Sequence, residues 1–390
     1  MKRLRVLFLS PWYPIESDTM LGLFVQKHAR AASGIAEVWV LYAYPDPGTE
    51  INNKLSISTI ENVNEIRIAF KPSSFPFFIA RIIDLFSWFK AIRTGWRMLK
   101  AQDKLPDIVH SNIFVKVPLI AYLLNRKYNI PFVVTEHWSK RLNPPKTILG
   151  HIENFAIRKI LKRASDLSCV SSLLGNAMLS QRLAPSYTYL PNIVDCELFT
   201  IASHKAPKEY KTIVHISCFD NQSKNISGIL SAIEMLSKKR QDFRFYMIGN
   251  GPDFSASIEE AKKKEIFDTY VFFTGVLEGE ILADSLSSAD FSVLYSNYET
   301  FGIVVYESLA CGVPVVVSDV ADYPTDIAAH LGMLVQKGEP ELLAQAMDKM
   351  LDTYQDYDKN TLRNFAVDNF SAGYISKKLN DIYNKAILRP

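Results

Sequence analysis

Cysteine is scarce in this chain: four residues in 390, Cys169, Cys196, Cys218 and Cys311. No two stand close enough for a Cys-x-x-Cys pair and no histidines cluster beside them, which argues against a zinc site. Cys169, Cys218 and Cys311 lie in or beside apolar runs, where a free thiol behaves as a small hydrophobe. A reducing compartment and little dependence on disulfides are expected. Long apolar runs are also missing, and nothing approaches the ~18 residues of a membrane-spanning helix. The first apolar stretch, residues 6–9, is shorter than the ~7–15 residues of a secretory h-region and reads as a buried strand. A cytoplasmic location is expected, with the inner face of a membrane as the peripheral alternative. Low-complexity tracts and internal repeats are absent as well.

What is present is ordinary globular composition, 48% hydrophobic and 22% charged. At ~100–200 residues per domain, 390 residues imply two domains. The net charge of +3 conceals an asymmetry: residues 1–195 carry +11 and residues 196–390 carry −8. Such a split suits two lobes with different partners, one of them anionic; a drift in surface charge is the plainer alternative. Basic residues do not dominate overall, so no nucleic-acid partner is expected.

Short apolar runs alternate with longer amphipathic stretches. Strands are expected at 5–10, 36–42, 66–70, 108–111, 132–136 and 167–170, then at 212–217, 244–249, 271–274, 291–295 and 313–318. Many are continuous Val/Ile/Leu runs, as in strands buried on both faces of a parallel sheet. Helical stretches such as 22–32, 227–238 and 339–352 fall between them. The repeated order predicts an α/β fold of doubly wound type. The two series break over 191–210, a stretch mixing Pro, charge and polar residues as linkers do. The expected organisation is a first domain over 1–195, a second over 196–371, and a closing helix over 372–390.

The most informative segment is SNYETFGIVVYESLACGVPVVVSD, residues 296–319. A strand delivers it, Thr300 and Gly302 punctuate a helix start, and Gly312 and Pro314 end that helix. A helix N-terminus at 301–303 offers unpaired N–H groups and a positive dipole end to a phosphate. Gly302 lets the phosphate come close. Glu299, before the helix, can accept from sugar hydroxyls, and Glu307, within it, from a ribose. Carboxylates repel a phosphate, so the pair makes sense as grips on hydroxyls to either side of one. Taken alone, two glutamates with seven residues between them are equally a surface Glu and a helix Glu around an ordinary βαβ turn.

The wider string resembles the retaining glycosyltransferase family 4, whose pattern runs Glu-x-Phe-Gly and then Glu-x-x-Ala-x-Gly-x-Pro-Val. Glu299, Phe301, Gly302, Glu307, Ala310, Gly312, Pro314 and Val315 stand in those positions. LPNIVDCELF (190–199), FYMIGNGP (245–252), 273–296 and 331–347 are similar to further family segments. The resemblance implies the GT-B fold, two Rossmann-like domains facing a cleft. It also implies a C-terminal domain that grips the nucleotide sugar through Gly249, Lys224, Glu299, Thr300, Phe301, Gly302, Ile303 and Glu307, with Glu299 and Lys224 also catalytic. It places a histidine near the transferred sugar, here His137, expected to be catalytic by hydrogen-bonding the sugar or polarising the acceptor; Glu136 beside it is a candidate for orienting it. It puts a glycine, here Gly22, where backbone approaches the donor phosphate or the acceptor. The family supplies an Arg and a Lys to the diphosphate. Lys224 in HISCFDNQSKNISG (215–228) fits the Lys, whereas no Arg stands near Cys218. Attack on the leaving-group face is implied, with the departing diphosphate taking the acceptor proton. No Asp-x-Asp motif is assigned to a Mg²⁺ site, so metal independence and no cofactor are expected, with a UDP- or GDP-sugar as substrate.

Residues 75–104 carry an apolar stripe (Ile82, Leu85, Phe89, Ile92, Trp96, Leu99) beside a basic one (Lys90, Arg93, Arg97, Lys100, Lys104). This is either a helix packed on the first sheet or one lying on an anionic membrane. The expected function is glycosyl transfer to a glycan or lipid-linked acceptor in cell-surface polysaccharide synthesis, such as lipopolysaccharide or capsule. An epimerase or phosphorylase of the same fold and a non-catalytic two-lobed sugar-binding protein are the alternatives.

Overall fold

The structure is a computed structural model. It describes the chain except residues 1–2, 50–52, 204–208, 322, 324–326 and 389–390, and of residues 328 and 329 the backbone alone. Part of the expected linker (204–208) and the end of the expected closing helix (389–390) therefore lie outside the described residues. The chain divides into unit 1, Met1–Asn192 with Ile375–Pro390, and unit 2, Ile193–Tyr374.

Unit 1 contains strands β1 (Arg5–Leu9), β2 (Glu37–Pro45), β3 (Lys54–Ile60), β4 (Val63–Phe70), β5 (Ile108–Asn112), β6 (Phe132–Glu136), β7 (Asp166–Cys169) and β8 (Thr188–Tyr189). They form one sheet in the order β3-β4-β2-β1-β5-β6-β7-β8. All pairs are parallel except β3–β4. Helices α1 (Leu23–Ser33), α2 (Phe77–Ala101), α3 (Val117–Tyr128), α4 (Ile148–Leu161) and α5 (Ser172–Ser180) connect them. Thr147 and Ser171 start α4 and α5 by accepting from Gly150 and Leu174 N–H groups. β1 and β6 are apolar and almost wholly buried, as the unbroken runs predict.

Unit 2 contains α6 (Asn221–Lys224), α7 (Ile226–Ser237), α8 (Phe254–Lys263), α9 (Gly279–Ser288), α10 (Ile303–Ala310), α11 (Pro340–Thr353) and α12 (Lys359–Phe370). Its strands are β9 (Lys211–Ser217), β10 (Phe243–Gly249), β11 (Val271–Gly275), β12 (Phe291–Leu294), β13 (Val315–Ser318) and β14 (Gly332–Val335), in the order β11-β10-β9-β12-β13-β14, all parallel. Phe243, Phe245, Ile229, Ile233, Phe291 and Met347 lie at the centre of its core. Arg363 on α12 donates to the carbonyls of Cys196, Phe199 and Ala310 at 2.8–3.0 Å, fastening the segment that enters the unit. The last helix, α13 (Ala372–Leu388), buries Ile375, Leu379, Ile382, Tyr383 and Ala386 at helical spacing. Tyr383 hydrogen-bonds His110 Nδ1 at 2.7 Å inside unit 1.

The doubly wound α/β expectation thus holds in both units. In each, the strand order reverses beside the first strand of the unit: between β1 and β5, and between β9 and β12. Ligands of such sheets bind outside the carboxyl ends of the strands at this reversal. The loops after β9 and β12 carry Lys224 and Glu299, and those after β1 and β6 carry Gly22 and His137.

The basic segment divides in two. The C-terminal half of α2 buries Trp88, Ala91, Ile92, Trp96 and Leu99. The N-terminal half leaves Phe77, Phe78, Ile82, Leu85 and Phe86 exposed. Ile92, Trp96 and Leu99 are therefore core, while Ile82 and Leu85 belong to an open apolar face. Among the described residues, no helix is long and apolar enough to cross a membrane.

Candidate functional site

In unit 2 the site forms where two loops are tied together. β9 ends at Ser217; Cys218 is exposed and Phe219, at φ 44°, is fully buried. The exposure of Cys218 corrects its reading as a buried hydrophobe: the turn after β9 sends the next ring, not the thiol, into the core. Asp220 then caps α6 by accepting from Gln222 N–H at 3.1 Å. Across from it, Asn297 donates from its backbone to Ser223 O (2.8 Å) and from its side chain to Gln222 O (3.1 Å). These two bonds bring the loop after β12 onto α6, and there Lys224 Nζ donates to Glu299 Oε1. Ser296 Oγ donates to the same oxygen at 3.1 Å.

Three residues on, Gly302 (φ 72°, ψ 54°) opens α10, and no side chain caps that helix. Among the described residues no side chain is seen to accept from its first N–H groups, as an anion site requires. Thr300 and Ile303 flank this turn, half-buried, and Glu307 follows in the helix at 7% exposure. Phe301 was expected to line the ligand. Its ring instead packs on Tyr306 (4.7 Å) and Phe370 (5.6 Å), so it anchors the turn from below. Gly249 serves the site indirectly. A Cβ there would lie 1.9 Å from Ser217 O, and one on Gly251 1.6 Å from Cys218 O, so the two glycines let the loop after β10 close against the loop after β9.

In unit 1, Gly22 (φ 67°) starts α1, and a Cβ on it would lie 2.3 Å from Trp12 O. The space its missing side chain leaves is filled by the Trp12–Tyr13 backbone; its role here is close packing of the loop after β1. Around His137 three histidine rings gather in the interior. His137 lies 5.5 Å from His28 and 4.5 Å from Phe24, centroid to centroid. Its Nδ1 meets Asn192 at 3.2 Å and its Nε2 meets Asn112 at 3.3 Å. Burial, then the nearby His28 and His110, push its pKa well below the ordinary value, so the ring is neutral. A neutral ring offers one N–H and one lone pair; both nitrogens face carboxamide oxygens, and one of these accepts the ring N–H. Glu136 does not orient the imidazole, contrary to expectation. Its carboxylate accepts the backbone N–H groups of Phe114 (3.0 Å), His137 (2.8 Å) and Trp138 (2.9 Å), and so fixes the loops that carry them. Trp138 sits edge-on to Trp12 at 5.4 Å.

Asn112, Asn192, His28 and Ser296 were not foreseen. Asn192 stands inside the LPNIVDCELF string, which drew attention to the segment but not to that side chain. Nothing in the sequence marks His28. One Asp-x-Asp string does exist, Asp356–Tyr357–Asp358. Asp358 caps α12 by accepting from Thr361 N–H at 2.8 Å, so the string has a helix-starting role. Among the described residues no group of three or more His, Cys, Asp or Glu is gathered as around a metal ion.

Comparison with known proteins bears on what these loops do. Residues 198–364 match the family described as "Glycosyl transferases group 1", and residues 31–198 match "Glycosyltransferase Family 4". A glycogen synthase of Mycobacterium tuberculosis is 26% identical over 333 residues, covering 81% of this chain and 78% of that protein. An alpha-monoglucosyldiacylglycerol synthase of Streptococcus pneumoniae is 23% identical over 299 residues, 72% of this chain and 67% of that one. Among solved structures, sucrose-phosphate synthase from Thermosynechococcus elongatus superposes with a TM-score of 0.77 at 18% identity, over 98% of this chain and 99% of the other. HepE of Anabaena in complex with UDP does so at 0.72 and 14%, over 98% and 100%.

Proposed function

The chain belongs to the group 1 glycosyltransferases of GT-B type, and from that premise we propose that it moves a sugar, with retention of configuration, from a nucleotide-sugar donor to a glycan or lipid-linked acceptor. The observation that carries this reading is the joining of Lys224 to Glu299 beside the uncapped N-terminus of α10. Cation, N–H groups and carboxylate there match the parts of a nucleoside diphosphate sugar. Lys224 and the first turn of α10 hold the diphosphate, with Gly302 and Ile303 supplying backbone. Glu299 accepts from hydroxyls of the sugar, and Glu307 from the ribose. Solved relatives of similar fold are described in complex with UDP and with UDP-glucose, which favours a uridine donor.

In the transfer, the acceptor oxygen bonds to the anomeric carbon on the face from which the diphosphate leaves. The electron pair of the broken bond goes to the phosphate oxygen, which takes the acceptor proton. The protein's part is to position both substrates and to stabilise the negative charge that grows on the leaving group. Lys224 and the α10 dipole do this without a metal ion. His137, neutral and held between Asn112 and Asn192, acts as a positioning residue rather than as an acid.

The exposed half of α2, with its neighbouring basic side chains, is read as a peripheral contact with an anionic membrane where a lipid-linked acceptor is met. An acceptor of this kind fits cell-surface polysaccharide synthesis.

Calorimetric titration with UDP-, GDP-, ADP- and dTDP-sugars tests the donor site. Binding of one donor, abolished in Glu307→Ala, is the expected result; no heat with any of the four removes the assignment. NMR of the product settles the stereochemistry, and an inverted anomeric centre overturns retention.

A further inference from the structure

Tyr323, in the loop after β13, is 8% exposed, and among the described residues its buried hydroxyl has no hydrogen-bond partner. That is unusual, because a buried phenol normally finds one. The hydroxyl lies over the residue that opens α10: a Cβ built on Gly302 would sit 2.7 Å from Tyr323 Oη and 3.5 Å from its Cε1. Two sets of donors therefore lie at the same helix start, the N–H groups of the first turn of α10, which no N-cap side chain caps, and an O–H without an acceptor among the described residues. Burial, then the negative charge of Glu299, push the phenol pKa well above 10, so the proton stays on the oxygen across the physiological range. Glu299 Oε1 is already engaged by Lys224 and Ser296.

Donors gathered at a helix start suit an anion. We propose that Tyr323 is a ligand of the donor substrate, its hydroxyl hydrogen-bonding a diphosphate oxygen of the nucleotide sugar at the N-terminus of α10. Gly302 then has two tasks: it gives the backbone its left-handed turn, and it leaves room for the phenol above the helix start. This inference rests on the donor site proposed above. It adds a side chain from a third loop, and with it a donor that compensates in part for the arginine missing near Cys218.

Tyr323→Phe keeps the ring and removes only the oxygen. Calorimetry compares wild type and variant with UDP, GDP and their glucose conjugates, alongside thermal unfolding of the free protein. Loss of a hydrogen bond to a charged acceptor weakens binding roughly 10-fold or more. The expected result is such a loss for the nucleoside diphosphate and its sugar alike, with a melting temperature of the free variant equal to or above that of wild type. Unchanged affinity overturns the proposal. So does a loss confined to the sugar conjugate, which moves the contact off the diphosphate. So does a lower melting temperature, which reveals a partner inside the protein. Failure of the wild type itself to bind any of these nucleotides is the separate result that removes the donor site, and this proposal with it.

Discussion

Lys224 and Glu299, 75 positions apart in sequence, share an ion pair whose side chains are 18% and 9% exposed. In the free protein the cation proposed to meet the diphosphate is thus held by the carboxylate proposed to meet the sugar. Each keeps the other compensated in a partly dry site, where an unpaired charge is expensive. Removing Lys224 alone leaves Glu299 buried without its partner. Lys224→Ala is expected to lower stability by about 1–3 kcal/mol and donor affinity by roughly 10–100-fold. In a double-mutant cycle with Glu299→Ala the stability effects are non-additive by about 0.5–3 kcal/mol. Strict additivity in urea unfolding would show that the pair does not persist in solution.

Gly22 has two reasons to remain glycine, a φ of 67° and the Trp12 carbonyl in the place of a side chain. Gly22→Ala is expected to cost about 1–3 kcal/mol, read as a fall in melting temperature. The rearranged Trp12, which packs on Trp138 beside His137, would lower turnover as well. A variant as stable and active as wild type would mean that the loop after β1 yields freely.

The open face of α2 gives the membrane reading a direct test. Phe78, Ile82 and Phe86 are 80%, 58% and 70% exposed, so changing all three to Ser is expected to shift folding stability by no more than about 0.5 kcal/mol each. Co-sedimentation with vesicles containing anionic phosphatidylglycerol should fall several-fold, because each large side chain inserted into lipid is worth about 1.5–3 kcal/mol. Equal sedimentation by variant and wild type rules out this face as the contact.

Three buried histidines make stability depend on pH. Burial lowers the pKa of His28 to about 4, of His110 to about 3 and of His215 to about 4. In the unfolded chain the same rings titrate near ~6.5. Between those values the unfolded state binds protons that the folded state refuses, so stability is full above ~6.5 and falls as the pH drops toward 4. Melting temperatures at pH 7.5, 6.0 and 5.0 should decline in that order. A flat profile would indicate that the rings already carry protons or reach water in the folded protein.

The sequence declared what local pattern declares. Short apolar runs located β1, β5, β6, β9, β12 and β13 within a few residues, because in a strand buried on both faces apolar residues need not alternate with polar ones. β3 (Lys54–Ile60) escaped notice: it is an antiparallel edge strand, exposed along its length. β14 and β8 are only four and two residues long. The Glu299–Pro314 string marked the loop proposed as the donor site, but its spacing could not say where each side chain points. Hence Phe301 proved to be core, Gly249 and Gly22 proved to be packing glycines, and Glu136 proved to hold backbone. What stayed hidden depends on distant partners. Lys224 meets Glu299 only because Asn297 is tied to α6, and Tyr323 lies over Gly302 only because β13 neighbours β12.

The bond between His110 and Tyr383 spans 273 positions of sequence. A ribosome adding about 5–20 residues per second emits the histidine roughly 14–55 s before the tyrosine. All of unit 2 emerges in that interval, and it is free to fold while unit 1, begun first, still lacks its last helix. During synthesis the pocket that α13 will fill stands open, apolar and lined by a neutral histidine. The N-terminal unit is thus the last to be finished, and a ribosome that stalls anywhere after residue 192 leaves it incomplete.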